Sequence, residues 1–273
     1  MEPEFVIGWR PLLHSWLDVL RHDEEHDDES QKADAERVVH PFQITPEKRA
    51  TIEFLFEWLV EPCIAFVRRE CVEMSPTVDA NLIQSMINVM ESMLEEIYVD
   101  ADGHAMAELR KGTGASKAKK KKEVKNHDEV IECCFLYALI WSVGATCDLD
   151  DRNNFSTFLR AIMEDINQIE EQWPGVRRSL EVRQWKIPEF PDNKETYEWS
   201  LNMPKGGGVH DWAYSSTDSK WKKWEDTLTK YEVAAGTPFQ DVVVPTVYTA
   251  QFDYMLDLLL THDKKVLVCG PTG

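Results

Sequence analysis

The chain has 273 residues and 43% apolar content, enough for one large domain or two small ones with a real core. Its 49 acidic against 30 basic residues leave a net charge of −19, which argues against broad nucleic-acid binding, because phosphate contacts need a positive face. No secretory signal opens the chain, and the longest apolar run, around Phe135 to Val143, is far short of the roughly 20 residues of a membrane span; with six cysteines and no CxxC pair, a reducing, soluble compartment is expected.

Phe5 to Leu20 predicts a first helix, with Pro11 in its first turn and Leu12, Leu13, Trp16, Leu17 and Leu20 as its core-packing residues. His22 to Glu36 is dominated by acids and reads as a solvated connection. A long helix begins at Pro46 with Thr45 as its N-cap. Ile52, Leu55, Phe56, Leu59, Cys63, Phe66 and Val67 share one face of it, and Pro62 is expected to kink it. Arg68 and Arg69 fall near its C-terminal end, where the helix dipole favours cations. A further helix spans about Val78 to Tyr98, with the stripe Leu82, Met86, Val89, Met90, Met93 and Ile97 read as core filler. Burying five or six such side chains gives on the order of 10 kcal/mol gross per helix. Ordering entropy consumes most of it.

Between Asp100 and His127, glycines accompany the run Lys117, Lys119, Lys120, Lys121 and Lys122. A surface insertion between two helices is expected; a basic patch for tubulin tails, nucleic acid or an import receptor is the competing reading, and nothing aromatic is interleaved to stack on bases. Val130 to Val143 is apolar nearly all round and predicts a central helix, which Gly144 ends or opens to close approach by another backbone. Asp148 to Asp151 leads into a helix with Phe155, Phe158, Leu159, Ile162, Met163 and Ile166 on one face. Arg152 opens that helix, against the dipole. It is either a structural cation or one placed to meet an anion.

After Trp173-Pro174 the periodicity fades, and Trp185, Trp199, Trp212, Trp221 and Trp224 are scattered among prolines and glycines. Val182 to Ile187 and Val209 to Tyr214 predict short strands or an irregular wrap. Gly206, Gly207 and Gly208 form a loop, not a phosphate cradle, and Trp221-Lys222-Lys223-Trp224 plugs a hydrophobic seam. Val243 to Gly273 reads as an extended segment, an amphipathic helix, a buried parallel strand (Val266 to Cys269) and a glycine loop. Gly270, Pro271, Thr272 and Gly273 match the first half of GxxxxGK[ST], whose backbone N–H groups cradle phosphate. The sequence stops before the lysine and hydroxyl of that loop and reads as cut there.

In this order the chain resembles the motor region of dynein heavy chains over nearly its whole length. The resemblance is carried by Gly8-Trp9-Arg10-Pro11-Leu12 with Ser15-Trp16-Leu17; by Ile140-Trp141-Ser142-Val143-Gly144-Ala145 followed by Arg152 and Phe155; by Val209-His210-Asp211-Trp212-Ala213-Tyr214 with Trp221 and Trp224; and by Val244-Pro245-Thr246 ahead of Val266 to Gly273. Ile140 to Ala145 is closer to axonemal than to cytoplasmic heavy chains. The acidic block and the lysine run depart from the family pattern and read as insertions.

The resemblance implies a mainly α fold: the small helical lid of the second AAA+ module (1–170, with acidic loop 22–36 and basic insertion 105–126), a Trp-rich bridging segment with short strands (171–240), and the first helix and strand of the third module's P-loop subdomain (241–273). It implies a parent that couples ATP hydrolysis to minus-end-directed movement on microtubules in cilia or flagella. ATP and Mg2+ are implied for the intact parent only. The partners implied are adjacent AAA+ modules of the same chain, microtubules, and dynein intermediate and light chains, with no membrane and no nucleic acid. Gly270, Pro271, Thr272 and Gly273 map onto the first four loop positions, and Arg152 is the sensor-type candidate; no catalytic residue and no metal ligand is assigned. Two alternatives stand beside this reading, a stand-alone α-helical interaction domain and a truncated P-loop NTPase unrelated to motors.

Overall fold

The computed structural model describes residues 8–20, 44–75, 77–97, 126–191, 194, 196–215, 218–228 and 244–268. The acidic block, the lysine run, Cys269 and the candidate phosphate-loop residues Gly270, Pro271, Thr272 and Gly273 lie outside the described residues.

Helix α1 (Arg10–Val19) carries Pro11 in its first turn and buries Leu13, Trp16 and Leu17. Helix α2 (Pro46–Leu55) is capped by Thr45, whose hydroxyl accepts from the Lys48 N–H at 3.4 Å. The kink expected at Pro62 takes the form of a π-helical turn, Phe56–Val60, that runs directly into α3 (Glu61–Glu70). Pro62 has no N–H to give this turn. With the i→i+5 offset of a π turn, the carbonyl facing that gap is Glu57's. The indole of Trp185, far along the sequence, donates to it at 2.8 Å.

The Gly8-Trp9-Arg10-Pro11 stretch docks on the same turn. Arg10 forms a fork with both carboxylate oxygens of Glu57 at 2.6 Å. The Trp9 indole donates to buried Glu61 at 2.6 Å, and Arg183 reaches the other Glu61 oxygen at 2.7 Å. A buried carboxylate is tolerated only with such partners.

Helix α4 (Asp79–Ile97) lies along α5 (His127–Ser142), which Asn126 caps. Every residue of α5 from Val130 to Ser142 is buried, so it is the centre of the core, as its all-round apolar sequence predicts. The segment His127–Thr146 is long and apolar enough to cross a membrane, but it lies inside the fold. Gly144 does make close approach possible, though to a ring and not to a backbone: a Cβ there would sit 2.5 Å from the edge of Phe155. Phe155, Phe158, Leu159 and Ile162 are buried on α6 (Arg152–Glu164), as their spacing requires.

Beyond Trp173 the structure is more regular than the sequence suggests. After the short α7 (Gln168–Gln172), Pro174 opens α8 (Pro174–Val182), which buries Val176 and Leu180 against α3. Of the strand or irregular wrap expected at Val182 to Ile187, no strand forms: Val182 ends α8, a turn follows, and Trp185 to Ile187 is irregular. Of Val209 to Tyr214, Val209–Asp211 is a 3-10 turn and only the second half is extended, in β1 (Trp212–Ser215). β1 pairs antiparallel with β2 (Lys220–Lys223), Tyr214 opposite Trp221. Trp221 and Trp224 are buried in the seam, as expected. Gly206 to Gly208 is a loop in which Gly207 adopts φ +70° and the Gly208 N–H donates to Asp211 at 2.7 Å.

Helix α9 (Val247–Thr261) begins at a box made by Thr246 and Thr249. Val266, Leu267 and Val268 follow it but form no strand, and Leu267 and Val268 are 87% and 77% exposed. This corrects the expectation of a buried strand. A parallel strand is buried by the strands and helices on either side, and the described residues supply none beside it.

Candidate functional site

Arg152 is the first residue of α6, and Asp151 before it offers no side-chain cap. Three acids precede it in sequence, at positions 148, 150 and 151. Two of them are committed to the backbone and to an amide. The Asp148 carboxylate accepts from the Asp151 N–H at 2.9 Å. The Asp151 carboxylate accepts from the Val72 N–H at 2.7 Å and from the Asn154 amide at 2.8 Å. Among the described residues no carboxylate forms an ion pair with Arg152, and its Nε is buried without a hydrogen-bond partner. Burial pulls the guanidinium pKa below its ordinary value; the neighbouring Tyr248 and Cys147 act weakly the other way.

What the guanidinium does meet is an aromatic face: its Cζ lies 5.9 Å from the Trp141 ring centroid. Trp141 is held edge to face by His210 at 5.6 Å and by Trp224 at 6.0 Å. His210 is 5% exposed. Burial, and then the charge of Arg152, push its pKa down to about 3, so the imidazole is neutral at physiological pH. The carbonyls of Gly144 and Ile140 pull in the opposite direction, though neither ring nitrogen makes a hydrogen bond of normal geometry.

Helix α9 closes this corner. Gln251 is buried and donates to the His210 carbonyl at 3.1 Å. Tyr254 packs between Tyr137 and Trp224 at 5.9 and 5.5 Å, and the Tyr137 hydroxyl donates to the Met255 sulfur. At the other end of α9, two acids one turn apart on α4 face two bases. Glu91 pairs with Lys264, and Glu95 lies 3.8 Å from the buried His262 ring. Of the residues singled out from sequence, then, Arg152 lies at a junction of α5, α6, the 209–211 turn and α9, whereas Gly270, Pro271, Thr272 and Gly273 have no described position.

His210, Gln251 and the buried acids Glu61 and Glu132 carry roles that sequence reasoning did not assign. Glu132 accepts from the Tyr197 hydroxyl at 2.8 Å and the Ser200 N–H at 2.7 Å. For Glu61 and Glu132 the available signal was a lone acid inside an apolar run. A second cluster of arginines lines an open groove of about 500 Å³ with Arg68, Arg69 and Arg183. There Glu73, Asp79 and Glu61 already pair Arg68 and Arg183, so the groove offers little free positive charge. Among the described residues no group of His, Cys, Asp and Glu side chains is arranged to hold a metal.

Against known proteins, residues 52–226 match the dynein heavy chain AAA lid domain, and residues 231–273 match the P-loop containing dynein motor region. Over 278 residues the chain is 27% identical to dynein axonemal heavy chain 3 of Homo sapiens, covering 100% of this chain and 6% of that protein. It is 29% identical over 280 residues to dynein axonemal heavy chain 1 of Homo sapiens, covering 100% of this chain and 5% of that protein. For dynein axonemal heavy chain 12 of Rattus norvegicus the identity is 25% over 283 residues, covering 100% of this chain and 7% of that protein. The chain thus spans only a small part of the length of the curated relatives it matches. With the lid domain matched across well over half of its residues, and axonemal heavy chains aligned along its full length, the chain belongs to the dynein heavy chain family.

Proposed function

We propose that this chain is part of an ATP-driven, minus-end-directed microtubule motor of the ciliary or flagellar axoneme, and that it couples nucleotide state between neighbouring AAA+ modules. Residues 1–170 form the lid of the second module, 171–240 bridge, and 241–273 begin the third module. Lid rotation reaches the third module through α9: Glu91 and Glu95 of the lid face Lys264 and His262 just past its end, and the His210 carbonyl of the bridge accepts from its Gln251. Arg152 is the sensor of the second module's nucleotide. The observation that carries this reading is a desolvated guanidinium with no carboxylate partner among the described residues, beside the helix that starts the next module. Such a cation is stabilised by an arriving anion far more than a paired one is.

Gly270, Pro271, Thr272 and Gly273 provide the first phosphate-facing backbone of the third module. ATP with Mg2+ would be bound in the intact parent motor, where it would supply the phosphoryl group that is hydrolysed. Adjacent AAA+ modules are the immediate partners; microtubules and the intermediate and light chains are reached through the parent. The family matches do not favour a stand-alone interaction domain or an unrelated P-loop NTPase.

The test is Arg152→Ala in an ATP-competent motor that carries these residues. Losing a charge-assisted contact of about 1.5–3 kcal/mol is expected to weaken nucleotide binding at the second module roughly ten- to a hundredfold. Unchanged affinity and unchanged turnover remove the sensor role.

A further inference from the structure

We propose that Trp141 and His210 are positioning residues for Arg152: together they hold the guanidinium in place without using up its N–H donors. Their role rests on Arg152 contacting an anion, as proposed above. An arginine steered by a carboxylate gives up two donors and most of its charge to that partner. One steered by an aromatic face gives up neither, because the attraction is between the cation and the ring quadrupole. Here the ring is fixed before the cation meets it. Trp141 is 9% exposed, with His210 standing edge-on at 81° and Trp224 at 85°.

His210 matters because it is neutral. A charged residue at its position would either repel Arg152 or pair with it, and its burial between Trp141 and Phe155 forbids the charge. The Phe155 ring reaches this place only because position 144 has no Cβ. Of the three acids before Arg152, Asp151 spends both oxygens on the Val72 N–H and the Asn154 amide, Asp148 gives one to the Asp151 N–H, and none of the three forms an ion pair with Arg152. The arrangement leaves the guanidinium half-buried against a ring face and, among the described residues, without a carboxylate partner.

The experiment compares variants of an ATP-competent motor containing these residues, reading nucleotide affinity at the second module with ATP and ADP. Trp141→Phe keeps an aromatic face and is expected to change affinity little. Trp141→Leu is expected to weaken it roughly two- to thirtyfold. In the Arg152→Ala background, Trp141→Leu is expected to cause no further loss. Tetrafluorotryptophan at position 141 depletes the ring face at nearly constant volume, so its loss of affinity supports the role even where Trp141→Leu does not fold. If Arg152→Ala weakens binding while the fluorinated ring does not, or if the Trp141→Leu loss adds in full to that of Arg152→Ala, the positioning role is overturned and the sensor stands. If Arg152→Ala is silent, the sensor itself falls, and the positioning role with it.

Discussion

A histidine buried between Trp141 and Phe155 cannot take up a proton without bringing a second charge beside Arg152. Its pKa in the fold is about 3, against 6.5 for a free side chain. Between those values the unfolded chain binds the proton and the folded chain does not, so stability is whole above the upper value and is lost as pH falls through the window. On the order of 2 kcal/mol should disappear between pH 7 and pH 5 from this group alone. Urea midpoints at the two pH values should therefore draw together in His210→Phe. An undiminished acid-side loss in that variant would place its origin elsewhere. Such a role is hard to read from sequence, because nothing in Val209-His210-Asp211 says which neighbours surround the ring. Arg152 was legible for the opposite reason: a cation at a helix start violates a local rule, and the violation shows in the letters alone. Its aromatic support was not, since Trp141 reads as one more apolar residue in an apolar helix.

At the level of elements, the sequence was most informative where the periodicity was long. Helices α2, α4, α5 and α6 lie where their apolar spacing puts them. The miss at α8 has a simple cause: a nine-residue helix with two buried residues carries too little pattern to stand out, although Pro174 at its first turn is a start signal. The expected kink at Pro62 became a π turn because the missing N–H is compensated from outside the helix. That compensation can be tested. Trp185→Phe keeps the ring but leaves the Glu57 carbonyl without its indole donor. A loss of roughly 1–3 kcal/mol in unfolding free energy is expected, the usual penalty for a buried group left unsatisfied. Faster amide exchange around Phe56–Val60 should accompany it. Unaltered exchange there would mean the turn needs no such partner.

Across the whole molecule, one hydrophobic core runs from Trp9 to Leu258 and takes in Trp185, Met203, Val209, Tyr214, Trp221 and Trp224. Residues 185–224 are thus packed into the same core as the helices before them, and α9 joins it through Leu258. Tryptophans scattered without periodicity gave no sign of this, because their positions are set by what they fill on other elements and not by their own. We expect that these 273 residues, made alone, neither hydrolyse ATP nor bind Mg-ATP at micromolar concentration, since the sequence lacks the lysine and hydroxyl of the phosphate loop. Calorimetry showing micromolar binding would contradict that.

The bare run Val266 to Val268 has a practical side. A short β-prone stretch whose apolar side chains stand exposed, as Leu267 and Val268 do, can zip onto the same stretch of another molecule. Preparations of this polypeptide should self-associate in a concentration-dependent way through Val266 to Val268, and Leu267→Lys should keep them monodisperse by sedimentation velocity. Equal association in both would mean this run is not the adhesive.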